Sequence, residues 1–214
     1  MRTPGTGLSR IAFALLVLGV VVLIVAAVWG GSVYPGYDHV EQYLSELGAT
    51  GAVTGPAVSG WGFVPNGLLY AAFCLIAAWL LRGSALAVLG CLFMACNGFG
   101  MAGAGVYPCD FECPQSDMST TALLHDVYGG LGYLGAVVGI VLMAIWARKS
   151  AAPWLAPLGA VAAIVSFVGF SIMIADIGMR GLFQRSGEVA VAGFMLALGW
   201  ALMKGLRAGS PDRP

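Results

Sequence analysis

The 214-residue chain has very little charge. Only 9% of its residues are Asp, Glu, Lys or Arg, against about 25% in ordinary soluble domains. A water-facing surface cannot be assembled from so few ionic groups. With 59% hydrophobic residues and a mean hydropathy of +0.89, most of the surface must have lipid as its solvent. The ten basic and ten acidic residues cancel, so there is no electrostatic footprint for nucleic acid or an acidic partner. Histidine is nearly absent, with His39 and His125 the only two. No serine sits in a nucleophile-elbow context, so serine hydrolysis has no specific support. The apolar runs also hold too few polar residues to line a continuous pore in a monomer. That argues against a channel unless several copies assemble.

What is present is a set of long apolar runs. A bilayer core of about 30 Å is crossed by about 20 apolar residues in a helix. Six runs qualify: roughly 11–29, 60–81, 84–106, 124–147, 154–175 and 187–206. Their continuous apolarity predicts helices, since barrel strands are shorter and alternate. The expected fold is therefore all-α, a single domain over 1–214 with six transmembrane helices. The first run follows Arg2 and Arg10 and has some likeness to a signal peptide. It is longer than the usual apolar region of one and lacks a clean small-x-small cleavage site near Trp29-Gly30-Gly31, so a retained helix is expected.

Lys and Arg concentrate in cytoplasmic loops. With the N-terminus inside, the inner segments hold Arg2, Arg10, Arg82, Arg148, Lys149, Lys204, Arg207 and Arg213, leaving only Arg180 and Arg185 outside. Both termini are expected in the cytoplasm, in a cell membrane crossed several times. Cys109 and Cys113 then fall on the outer side, where disulfides form. A disulfide is favoured there over free thiols. Zinc is disfavoured because no second close cysteine pair accompanies this one. Cys74, Cys91 and Cys96 lie within spans and are expected simply to pack.

Two stretches match a dinucleotide-binding glycine pattern, Gly98-Phe99-Gly100-Met101-Ala102-Gly103 and Gly130-Leu131-Gly132-Tyr133-Leu134-Gly135. That pattern needs a strand before it and a helix after it. Here both lie inside apolar spans, where small residues let helix backbones approach. Gly98–Ala102 and Gly135–Gly139 are assigned to such packing.

Polarity gathers on the predicted outer face. Asp38 with Glu41 three residues later has the form of a helix start. Val40, Leu44 and Leu47 fall on one helical face, with Gly48 as a stop, so a short amphipathic helix on that face is expected. His125 and Asp126 open the fourth span, Asp176 ends the fifth, and Gln184, Arg185 and Glu188 precede the sixth. Asn66 and Asn97 lie within spans. The bland reading is that loops are polar and Asp126 complements a helix dipole. The sharper one is a polar pocket made by His39, Ser45, Glu46, Asn66, Asp110, His125, Asp126, Asp176 and Arg185. Zinc held by His39, His125 and one or two of Asp126, Asp110 and Asp176 is a further alternative.

Four segments resemble the integral membrane family called domain of unknown function 998. They are Tyr37-Asp38-His39 with Tyr43-Leu44-Ser45-Glu46-Leu47-Gly48; Pro65-Asn66-Gly67; Tyr107-Pro108-Cys109-Asp110 with Cys113-Pro114 and His125-Asp126; and Gly181-Leu182-Phe183-Gln184-Arg185. The resemblance runs along nearly the whole chain and implies a prokaryotic six-helix membrane protein with no assigned role. Three functions remain in view. One is binding a lipid headgroup or small molecule, with Arg185 pairing to a phosphate or carboxylate. Another is metal-dependent hydrolysis of a membrane lipid. The last is a structural role in which the outer face docks a partner.

Overall fold

The computed structural model describes residues 7–175 and 177–207. Among them six helices are long and apolar enough to cross a membrane. They are α1 (Gly7–Val33), α2 (Gly55–Leu80), α3 (Ala85–Val106), α4 (Thr120–Ala147), α5 (Leu155–Ala175) and α6 (Arg180–Met203). No strand occurs among the described residues. The six runs expected from hydropathy are these six helices.

Each helix packs on its sequence neighbours, and α1 also packs on α6, so the bundle closes into a ring. Apolar side chains cover its outside: Val28, Leu131 and Ile164 are each more than 60% exposed. Soluble monomers rarely present such continuous apolar cover. These facts make the protein a membrane-embedded bundle.

The half of the bundle that carries both chain ends is filled. Leu16, Phe73, Met94, Ile140, Met143, Phe194 and Leu198 form one core there, and none is more than 1% exposed. Glycines bring the backbones together beside it. A Cβ on Gly139 of α4 would stand 2.6 Å from the Gly90 carbonyl oxygen and the Met94 nitrogen of α3. A Cβ on Gly98 of α3 would stand 2.5 Å from the Ala71 nitrogen of α2. Gly98 and the Gly135–Gly139 pair are thus helix-contact residues, as their spacing implies. Cys74 and Cys91 are buried, while Cys96 is exposed.

The opposite half is built from loops. Its main piece is a 3-10 turn, Leu44–Gly48, tucked into the bundle end. This differs from the amphipathic surface helix expected after Asp38. Asp38 Oδ1 does accept from the Val40 and Glu41 N–H groups at 2.7 and 3.2 Å, but only a turn follows. Val40 is 42% exposed, whereas Leu44 and Leu47 are buried. Gly48 is not a left-handed stop either. A Cβ there would lie 2.5 Å from Ser59 Oγ, so its lack of side chain serves close contact with α2.

Two boundaries move for physical reasons. α2 begins at Gly55 with a π-helical stretch, Val58–Phe63, just ahead of Pro65. Proline has no N–H to continue the α ladder, and a wider turn accommodates the gap. α6 begins at Arg180, seven residues before the expected Gly187. Gly178 and Met179 take left-handed φ values of 93° and 51°, which end the preceding turn. Gln184, Arg185 and Glu188 therefore lie inside a helix and not ahead of it.

Gly139→Val is expected to lower the unfolding midpoint in detergent, at an overpacking cost of about 1–3 kcal/mol. Gly193→Ala, with nothing within 4 Å of its added Cβ, is expected to be neutral or slightly stabilising. Equal effects at the two positions would contradict the packing assignment.

Candidate functional site

The turn Leu44–Gly48 is tied down on all sides. Leu44 N–H donates to Gln184 Oε1 at 2.6 Å. Thr54 Oγ1 donates to the Leu47 carbonyl at 2.7 Å, and Ser59 Oγ to the Gly48 carbonyl at 2.8 Å. Glu46 is buried and accepts from Tyr43 N–H and Gln42 Nε2, each at 2.8 Å. Burial pushes its carboxyl above the ordinary range, although those two hydrogen bonds pull the other way.

Arg185 holds the segment just before that turn. Its Nη1 donates to the carbonyls of His39, Gln42 and Gly181 at 2.9, 3.1 and 3.1 Å. Its Nη2 donates to Tyr37 Oη, and the guanidinium lies over the Tyr37 ring. These partners make Arg185 a clamp between α6 and the loop. His39 is exposed and stands edge-on to Tyr37, with ring centroids 5.0 Å apart. Asp110 accepts from Ser119 N–H and Oγ at 2.7 Å each, and Ser119 in turn caps α4. Those two bonds hold the Asp110 carboxyl below its ordinary range. Asn66 donates to the Gly19 carbonyl at 2.9 Å and fastens α2 to α1. The sulfurs of Cys109 and Cys113 sit at bonding distance, with Cα atoms 5.1 Å apart.

Beneath the turn lies a cleft of about 330 Å³, within the range of small-ligand sites. His125, Asp126, Gly129, Gly130 and Tyr133 of α4 line one side; Phe170, Met173 and Ile174 of α5 line the other. Ser45 and Gln184 form its roof. A smaller cavity of about 50 Å³ adjoins it. Ser45, His125, Gly129, Tyr133 and Gln184 line both, and the smaller one adds Asn97 and Glu188. The two spaces are thus neighbours across a shared wall, with Asp126 lining the larger and Glu188 the smaller.

Glu188 is 6% exposed and lies roughly two turns into α6. Tyr133 Oη donates to its Oε1 at 2.6 Å, while Oε2 has no partner among the described residues. Asn97 is 3% exposed, and its Oδ1 is likewise unpartnered. Tyr133 is fixed in turn by stacking on Phe170 at 5.1 Å. His125 Nδ1 lies 3.0 Å from both the Ala104 and Tyr107 carbonyls. Two carbonyl acceptors there require a proton on Nδ1.

Of the nine residues expected to form the polar pocket, Ser45, His125 and Asp126 line the cleft. Glu46, Asp110 and Arg185 hold the loops around it, His39 lies exposed outside it, and Asn66 belongs to a helix contact. Asp176 lies outside the described residues. Among the described residues no group of three or more His, Cys, Asp or Glu is placed to hold a metal. Sequence reasoning missed Tyr133, Gln184 and Glu188 as cleft residues. Glu188 falls within the expected 187–206 run but was grouped with the polar residues ahead of it; read as an acid inside a span, it would have stood out as a functional candidate.

The family described as Protein of unknown function (DUF998) matches residues 7–201. No curated protein and no solved structure matches the chain.

The raised Glu46 carboxyl binds a proton more readily in the folded chain than in the unfolded one. Its contribution is therefore most favourable at low pH and is lost as pH rises from about 4 through the raised value. Glu46→Gln removes that titration. In detergent melts, the wild-type midpoint minus that of the variant is expected to fall as pH rises above about 4. A flat difference would contradict the assignment.

Proposed function

The chain belongs to the DUF998 family, and from that premise we propose that it binds a single-tailed or lipid-like amphiphile, headgroup inward, in the cleft between α4 and α5. One observation carries this reading: the cleft has an apolar side door and a polar floor. At the door, a Cβ on Gly129 would meet nothing within 4 Å, and one on Gly130 would meet only Phe170, at 4.0 Å. Across from them Ile174 is 63% exposed on the bundle's lipid-facing side. An acyl chain lying against Phe170, Met173 and Ile174 keeps its apolar contacts while its head reaches the polar groups. Each buried methylene of such a tail contributes about 0.8 kcal/mol.

The same geometry favours binding over conduction. The cleft ends at Glu188 and Asn97, and below them the bundle is filled by the core around Met94, Ile140 and Phe194. A ligand entering sideways has no straight path to the other end. The protein is thus read as a lipid-handling component, with the cleft as its receptor. Arg185 contributes by holding the loop roof through His39, Gln42, Gly181 and Tyr37, and it is not among the residues that line either cavity.

The cleft is proposed to open toward the outer leaflet of a cell membrane. Arg10, Arg82, Arg148, Lys149, Lys204 and Arg207 all lie at the opposite end, which the orientation rule assigns to the cytoplasm. A C-terminal fluorescent-protein fusion is expected to glow, and a C-terminal alkaline phosphatase fusion to be inactive. The reverse pattern would turn the cleft toward the cytoplasm.

For the cleft itself, a decyl-chain probe with a diazirine on its tail is expected to label the α5 peptide containing Phe170, Met173 and Ile174. Gly129→Leu and Gly130→Leu fill the door without meeting backbone, and are expected to cut labelling about tenfold while leaving the unfolding midpoint unchanged. Undiminished labelling in both variants would overturn the proposal.

A further inference from the structure

Building on the proposed amphiphile cleft, we propose that its deep end selects a primary ammonium headgroup. The argument starts from what the deep cavity offers. Glu188 Oε2 and Asn97 Oδ1 are buried acceptors without partners among the described residues, and both residues line it. A buried polar atom left unpaired is costly, so a site that keeps two of them is built for a group that donates. Ser45 Oγ adds acceptor capacity in the lining that the two spaces share. No Lys or Arg lies among the described residues lining either cavity. An anionic head would face a carboxylate with no compensating cation. A positive head with several N–H donors matches every feature.

Size and donor count both bear on the class. About 10–15 Å³ of such space holds one water, so the 50 Å³ cavity takes about three to five water-sized groups. A primary ammonium with its first methylene fits. A trimethylammonium, with four carbons on its nitrogen and no N–H, leaves both acceptors unpaired. Tyr133 fixes the direction of approach. Its hydroxyl occupies Glu188 Oε1 at 2.6 Å, so only Oε2 remains for the ligand.

The test is native mass spectrometry of the detergent-solubilised full chain, titrated separately with decylammonium, decyltrimethylammonium, decanol, decyl phosphate and methylammonium. Decylammonium is expected to bind at least tenfold more tightly than the trimethylammonium and phosphate probes. In Glu188→Gln that advantage is expected to fall at least tenfold, with decanol affinity unchanged. Wild-type preference for decyl phosphate, or equal affinity for the two cationic decyl probes, would overturn the ammonium assignment while leaving the amphiphile cleft standing. Methylammonium binding as tightly as decylammonium would keep the ammonium site and remove the amphiphile reading. No binding by any probe would overturn both. The wild-type comparison decides the matter even if Glu188→Gln fails to fold.

Discussion

The hydrogen bond from Tyr133 to Glu188, 2.6 Å long and buried between α4 and α6, sets the terms for the cleft half of the bundle. A carboxyl group brought into a membrane bundle costs several kcal/mol unless its oxygens find partners. Here one oxygen is partnered, and the other has no partner among the described residues in a side chain that lines a cavity. Holding that arrangement requires Tyr133 to stay in place, which its stack on Phe170 of α5 supplies. Gly129 and Gly130 of α4 leave open space on the same helix, one turn ahead of the tyrosine. The Phe170 contact, the glycines and the buried acid thus belong to one device spanning three helices.

Around that device the molecule divides into two halves with different physics. In the half carrying the chain ends, glycine contacts and a continuous apolar core leave no room. In the other half, loop segments replace side-chain packing, and hydrogen bonds to backbone do the holding. Leu44 is fixed by Gln184, Leu47 by Thr54, Gly48 by Ser59, and the residues before them by Arg185. A roof made of backbone contacts is more easily opened than a core. A binding cleft is therefore expected beneath it, and the dry half supplies the rigid floor.

The parts legible in sequence were those carried by long-range averages. Six apolar runs specify six helices because hydropathy sums over about twenty residues, and local errors cancel. The glycine pairs were legible too, since small residues at helical spacing have one main use inside apolar spans. The start of α6 was not. Gln184, Arg185 and Glu188 look like loop polarity, yet a helix tolerates them because each finds a partner elsewhere in the chain: Leu44, the His39 carbonyl and Tyr133. The last pair is 55 residues apart, and nothing local announces it. Asp38 misled for a related reason. An aspartate accepting from the N–H groups two and three residues on begins a turn as readily as a helix. His39 and His125 were grouped because they share a face, but one side chain lies in the open and the other beneath the roof.

The central claim is that the space between α4 and α5 is an entry for an apolar tail whose head ends at Glu188. The most direct measurement is an experimental structure of the full chain in lipid nanodiscs containing an aminophospholipid. The expected result is elongated density passing between Gly129 and Ile174, with its polar end within hydrogen-bonding distance of Glu188 Oε2. Density for ordered water alone in the cleft, with the Gly129–Ile174 gap closed by side chains, would contradict it.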